Sequence, residues 1–134
     1  GNQMDVFSGR RKLSGDSPVI ILKDSLPVAA LGTPGGHTIT QNVPQIIMNL
    51  LVYNLNMQQS IDAPKISFAE PNLLMVETNL DPEIIEGLKE KGHIIQETRA
   101  IGNAHGVFLH YDSSGNLATL DIGEDKRGSF WRER

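Results

Sequence analysis

The chain has 134 residues, a length suited to one compact domain. With 39% hydrophobic, 21% charged and only 5% aromatic residues, it has the composition of an ordinary globular protein whose core is built from Ile, Leu, Val and Met. The absence of cysteine excludes disulfides, zinc thiolates and cysteine nucleophiles, and a net charge of -4 argues against a nucleic-acid partner. No apolar run approaches the roughly 18–20 residues of a membrane span, so no membrane partner is expected either.

Residues 1–17 are rich in Gly, Ser and charge and read as a loop without a signal-type apolar core. Val19 to Leu22 and Val28 to Leu31 are short apolar runs around a turn at Lys23-Asp24-Ser25, the pattern of a hairpin buried on both faces. Such a hairpin needs neighbours that the polar loop ahead of it does not supply, so the chain is expected to be part of a longer protein. The hairpin leads into Gly32-Thr33-Pro34-Gly35-Gly36. A helix follows, with Thr38 or Thr40 as N-cap, Pro44 in its first turn and a stripe of Val43, Ile46, Ile47, Leu50 and Leu51. A short helix is expected from Met57 to Asp62, stopping before Pro64.

Ile66 to Ala69 and Leu73 to Glu77 read as strands around Pro71-Asn72. Asp81-Pro82-Glu83 is a helix start with Ile84, Ile85 and Leu88 facing inward, and Gly92 sits where a left-handed cap belongs. Ile94-Ile95, Val107 to Leu109 and Leu117 to Leu120 are the remaining strands, the last two joined by a turn at Ser113-Ser114-Gly115-Asn116. Hairpins interrupted by helices predict an α+β fold, a mostly antiparallel sheet with helices packed on it.

The chemistry is concentrated at the glycine turn. Two glycines between a strand and a helix N-terminus let successive backbone N–H groups meet a bound oxygen, aided by the helix's partial positive charge. The alternative is a tight turn that only needs positive φ. His37, His93, His105 and His110 form no metal-ligand pair, so surface or cap roles are expected for them and no metal or other cofactor is implied. Ser14 and Ser17, beside Arg10, Arg11 and Lys12, suit a carboxylate or a solvated loop. The segment Lys126 to Arg134 mixes basic residues with Phe130 and Trp131, which suits an aromatic-anchored tail better than an anion site.

The segments GNQMDVFS, RKLSGDSPVIILKD and GTPGGHTITQNVPQIIMNLLVYNLNMQQSIDAPKI together resemble the small subunit of gamma-glutamyltransferases, and the resemblance continues to about Gly123. It implies an N-terminal-nucleophile hydrolase αββα sandwich made from two pieces of one self-cleaved precursor. The chain would be the C-terminal portion of the small subunit, with 1–17 a substrate-binding loop, 18–123 the strands and helices, and 124–134 a tail. The family's nucleophilic threonine and its carboxylate-gripping arginine are not among these 134 residues. By position, Gly35 and Gly36 match the oxyanion pair, Ser14 the first of two serines on the substrate α-carboxylate, and Gln3 a contact to the α-amino group.

Two positions depart from the pattern. Gly15 replaces the second serine, and Val6 replaces the aspartate that pairs with the donor ammonium, unless a shifted loop lets Asp5 take that role. An ammonium without a partner is costly to desolvate, so a des-amino donor of the glutaryl type becomes an alternative to a gamma-glutamyl amide. The implied partners are the upstream large-subunit part of the precursor and a small-molecule amide, with room for a homo-oligomer. A module that kept the fold and lost the chemistry is the competing expectation, and the chain alone should be inactive.

Overall fold

The computed structural model describes residues 8–9 and 17–127. Its elements follow the order β1 (Val19–Lys23), β2 (Leu26–Gly32), a 3-10 turn (Gly36–Thr38), α1 (Ile39–Leu51), α2 (Met57–Asp62), β3 (Ile66–Ala69), β4 (Leu73–Glu77), α3 (Pro82–Glu90), β5 (Ile94–Thr98), β6 (His105–Tyr111) and β7 (Leu117–Glu124). Four strands form one antiparallel sheet in the order β1-β2-β6-β7, and the other three form a second sheet, β3-β4-β5. In the second sheet β4 and β5 run parallel, joined by α3 as a crossover, while every other pairing is antiparallel. The α+β expectation is therefore met, with one parallel pair that hairpin reasoning did not anticipate.

The core lies between the four-stranded sheet and the helices α1 and α2. Ala29 and Leu31 from β2 meet Ile39, Val43, Ile46 and Leu50 from α1 and Met57 and Ile61 from α2. Gly106 and Gly123 pair across β6 and β7, and this bare spot seats the side chain of Met57. A Cβ at Gly106 would lie 2.7 Å from Met57 Sδ, and one at Gly123 would lie 2.7 Å from Ile61 Cδ1. Close approach, not backbone freedom, requires glycine at both positions.

The opposite face of this sheet is apolar and carries no helix among the described residues. Ile20, Ala30, Val107 and Ile122 form one row across all four strands, and Ile20, Leu22 and Ile122 are 69%, 61% and 71% exposed. The first hairpin is thus buried on one face only, because the described residues lay helices on a single side of the sheet. Ile84 and Leu51, expected inside, are also exposed.

The helices begin and end for local reasons, with two departures from expectation. Thr38 is the residue before α1, but its hydroxyl donates backward to the Gly35 carbonyl at 3.0 Å and caps no N–H ahead of it. Pro44 lies inside α1 and not in its first turn, since the helix begins at Ile39. The other helices start as their sequences suggest: Asn56 and Gln59 form a reciprocal capping box on α2, and Asp81 accepts from the Glu83 N–H at the start of α3.

The second sheet is tied to α1 by two glutamines. Gln41 receives the Phe68 N–H and donates to the Phe68 carbonyl, and Gln45 does the same with Ile66. Residues one helical turn apart advance about 6 Å and alternate strand residues about 6.7 Å, so the amides fall in step with the edge of β3. They occupy backbone groups that would otherwise be an open strand edge.

A buried ion network closes the other end. Glu77, 1% exposed, accepts Arg127 Nε at 2.6 Å and Nη2 at 2.8 Å, the Ile101 N–H at 2.7 Å and the Lys65 N–H at 3.1 Å. Asp125 accepts Arg127 Nη1 at 3.1 Å and the Ala104 N–H at 3.0 Å. Arg127 also donates to the carbonyls of Ile61, Asp62 and Ala63 at the end of α2, and Lys65 Nζ donates to Ile61 and Ala63 and lies 3.9 Å from Asp125. Burial, reinforced by the positive charge of Arg127, pushes the Lys65 pKa down despite Asp125 and Glu77. Burial also opposes the charge of Arg127, but the hydrogen bonds and charge of Glu77, then of Asp125, outweigh it and raise its pKa. Both carboxylates are so fully bonded that deleting one strands buried cations. Glu77→Ala is expected to cost about 3–5 kcal/mol, read as a large drop in the midpoint of thermal or urea unfolding; a loss below about 1 kcal/mol would mean the network is dispensable.

Candidate functional site

The glycine turn joins the end of β2 to the start of α1. Gly35 has φ 135° and Gly36 φ 60°, so both residues occupy the left-handed half of the map that side chains avoid. Gly35 is the more demanding of the two: an added Cβ would lie 2.7 Å from Thr38 Oγ1, whereas nothing lies within 4 Å of one at Gly36. Positive φ, the plainer of the two readings of this motif, is therefore a real requirement here.

Hydrogen bonds hold the turn from both sides. Thr33 Oγ1 donates to the Pro34 carbonyl at 2.8 Å and accepts the Asn103 N–H at 3.0 Å. Thr38 gives its hydroxyl at 3.0 Å and its N–H at 3.3 Å to the Gly35 carbonyl. Among the described residues, the N–H groups of Gly35 and Gly36 have no acceptor. The turn lies at an open cleft of about 550 Å3 lined by Ser17, Pro18, Gly32, Thr33, Pro34, Gly35, Gly36 and Ile39. A slightly larger recess of about 590 Å3 lies beside the ion network, around Arg99 and Lys126, and contains none of the turn residues.

Behind the turn runs the strap Ile101-Gly102-Asn103-Ala104. Its Ile101 N–H is held by Glu77, its Asn103 N–H by Thr33 and its Ala104 N–H by Asp125. Gly102, at φ 83°, leaves room for the buried amide of Asn42 from α1, whose Nδ2 would lie 2.4 Å from a Cβ there. The ion network and the glycine turn are thus joined through one short segment. Sequence reasoning missed this link, since Thr33 and Asn103 are 70 residues apart and each looks like an ordinary loop residue.

Of the positions predicted from sequence, Gly35 and Gly36 lie together at the cleft. Gln3, Asp5 and Ser14, and with them Val6 and Gly15, lie outside the described residues, as do Phe130 and Trp131. Arg127, read from sequence as part of a basic tail, turns inward to the network. His37, His93, His105 and His110 are all exposed, and among the described residues no three His or acidic side chains gather as a metal site.

The model of the gamma-glutamyltranspeptidase family matches residues 3–129. The chain belongs to this family. It is 30% identical over 113 residues to a glutathione hydrolase proenzyme from Escherichia coli, a match covering 84% of this chain and 20% of that protein. The crystal structure of a mutant gamma-glutamyltranspeptidase from Helicobacter pylori is similar at 25% identity with a TM-score of 0.83, covering 96% of this chain and 69% of that one. A cephalosporin acylase from Bacillus halodurans is similar at 26% identity with a TM-score of 0.73, covering 82% of this chain and 20% of that one. The chain spans about a fifth of the length of the curated relatives it matches. The α+β arrangement of this chain is that of the gamma-glutamyltranspeptidases.

The two glycines should respond differently to alanine. Gly35→Ala is expected to destabilise the turn by about 2–3 kcal/mol through both its φ and the Thr38 clash, and Gly36→Ala by about 1 kcal/mol through φ alone. Unfolding midpoints of the two variants check this; equal losses would show that the Thr38 contact carries no weight.

Proposed function

We propose that this chain is the C-terminal part of an acyl-transferring or amide-hydrolysing enzyme and supplies its oxyanion site. The observation that carries the proposal is the Gly35–Gly36 turn of a gamma-glutamyltranspeptidase-family chain, with two N–H groups that have no acceptor among the described residues, at the mouth of a cleft. In this reading a nucleophile from the upstream part attacks a gamma-glutamyl amide, and negative charge develops on the former carbonyl oxygen. Two aligned N–H donors stabilise that charge, each by about 3 kcal/mol in sites of this kind. The acyl-enzyme then passes its acyl group to water or to an amine. Gln3, Asp5 and Ser14 serve the donor's amino and carboxylate ends, and residues 1–17 form that part of the pocket.

The apolar outer face of the four-stranded sheet supports an upstream partner. A row such as Ile20, Ala30, Val107 and Ile122 is stable in water only when covered, and a second sheet of the same precursor would cover it. In this reading the nucleophile lies upstream and the described residues do not cover this face, so the chain by itself is expected to aggregate and to turn over no substrate.

A second reading concerns the donor. Val6 is an apolar residue where the family pattern has an aspartate for the donor ammonium, which favours donors that lack that ammonium. Joining this chain to its upstream part and comparing gamma-glutamyl with glutaryl anilides separates the readings. Faster turnover of gamma-glutamyl anilide supports an ordinary transpeptidase donor, and faster turnover of glutaryl anilide supports the des-amino donor. Turnover of neither would contradict the enzymatic proposal and favour a module that kept only the fold.

A further inference from the structure

We infer that Thr33 and Thr38 are paired positioning residues, each aiming one of the two N–H groups of the glycine turn. The inference rests on the proposed oxyanion role of Gly35 and Gly36 and extends it to the residues that fix their direction.

The argument starts from the planarity of the peptide bond. In a trans peptide the C=O of one residue and the N–H of the next point in opposite directions and rotate as one rigid unit. Holding a carbonyl therefore aims the N–H that follows it. The Pro34 carbonyl belongs to the same peptide as the Gly35 N–H, and Thr33 Oγ1 donates to it at 2.8 Å. The Gly35 carbonyl belongs to the same peptide as the Gly36 N–H, and Thr38 Oγ1 donates to it at 3.0 Å. Two hydroxyls thus hold the two peptide planes on which the proposed oxyanion site depends.

Such pins are needed because of the glycines. At φ 135° and 60°, with no Cβ on either residue, the planes on both sides of Gly35 are loosely held: among the described residues the plane before it has no backbone hydrogen bond, and the plane after it has only the long one from the Thr38 N–H at 3.3 Å. Glycine at position 35 also admits the restraint, since a Cβ there would displace Thr38 Oγ1. Thr33 is restrained in turn: its oxygen accepts the Asn103 N–H, which orients its one proton toward Pro34. A hydroxyl donating to a carbonyl also polarises the peptide and makes its N–H a stronger donor toward an oxyanion. Fixed direction and added polarity act where charge develops, so they favour the transition state over the bound substrate.

The test uses the assembled protein that contains this chain, with the rate of acyl-enzyme formation and the donor binding constant measured separately. Thr33→Val and Thr38→Val keep the side-chain shape and remove the hydroxyl; Thr33→Ser and Thr38→Ser keep the hydroxyl and remove the methyl. Each valine variant is expected to slow acylation by about 10–100-fold, less than the 10²–10³-fold typical of losing a donor outright, with donor binding changed less than about twofold. Each serine variant should stay within about threefold of the parent. Thr38 is the safer position, because Thr33→Val also strips the Asn103 N–H of its acceptor; an unfolded Thr33→Val leaves Thr38→Val to decide. Valine variants that acylate within about threefold of the parent would overturn the inference, as would valine and serine variants that slow together. A parent protein that forms no acyl-enzyme with either gamma-glutamyl or glutaryl donors would overturn the functional proposal itself, and the inference with it.

Discussion

The bidentate pair between Arg127 and Glu77 anchors the arrangement around the candidate site. It joins the end of β7 to the end of β4, and the same guanidinium closes the carbonyls at the end of α2. Replacing such a network with apolar residues often costs little, whereas removing one member strands a charge. The fold therefore depends on all four charges being present together. Glu77 Oε1 also accepts the Ile101 N–H and Asp125 Oδ2 the Ala104 N–H, which fixes the strap at both ends. The middle of the strap donates to Thr33, and Thr33 holds the glycine turn. A continuous hydrogen-bonded path thus runs from a buried ion pair to the backbone at the cleft.

This arrangement suits the chemistry proposed for it. An oxyanion site gains its advantage from dipoles already in place before charge appears, so the protein must hold backbone amides still without filling them with its own acceptors. Gly35 and Gly36 leave their N–H groups without acceptors among the described residues, while threonines on either side occupy the carbonyls. The strain of two positive φ values is confined to residues without side chains.

Much of the fold was legible in the sequence because its signals are local. Apolar runs bounded by Gly, Pro, Asn and Asp marked the strands, and Asp81-Pro82-Glu83 and the Met57 to Asp62 segment marked helices that the structure contains. What was illegible depends on distant partners. Glu77 ends an apolar strand and looks like a residue turning to solvent, yet Arg127, 50 residues later, makes it one of the most buried groups in the chain. Gln41 and Gln45 look like the polar face of α1, but they bond the edge of β3. Pro44 was misplaced because its place in the helix shifts with the starting point, Ile84 because α3, though it starts where expected, buries only its Ile85 side among the described residues, and the apolar hairpin could not reveal which face would be covered. At the site, the glycine pair was visible from its motif, while the pins were not: a threonine's bond to the carbonyl beside it is set by backbone geometry that the motif alone does not specify.

The central claim is that the oxygen of a reacting amide sits against the Gly35 and Gly36 amides. The most direct test is a crystal structure of the assembled protein with a donor analogue trapped as its tetrahedral adduct. The account predicts the adduct oxygen within about 2.7–3.1 Å of both glycine nitrogens, with the Thr33 and Thr38 hydroxyls still on the Pro34 and Gly35 carbonyls. An adduct whose oxygen is held by other donors, with the glycine turn facing elsewhere, would contradict it.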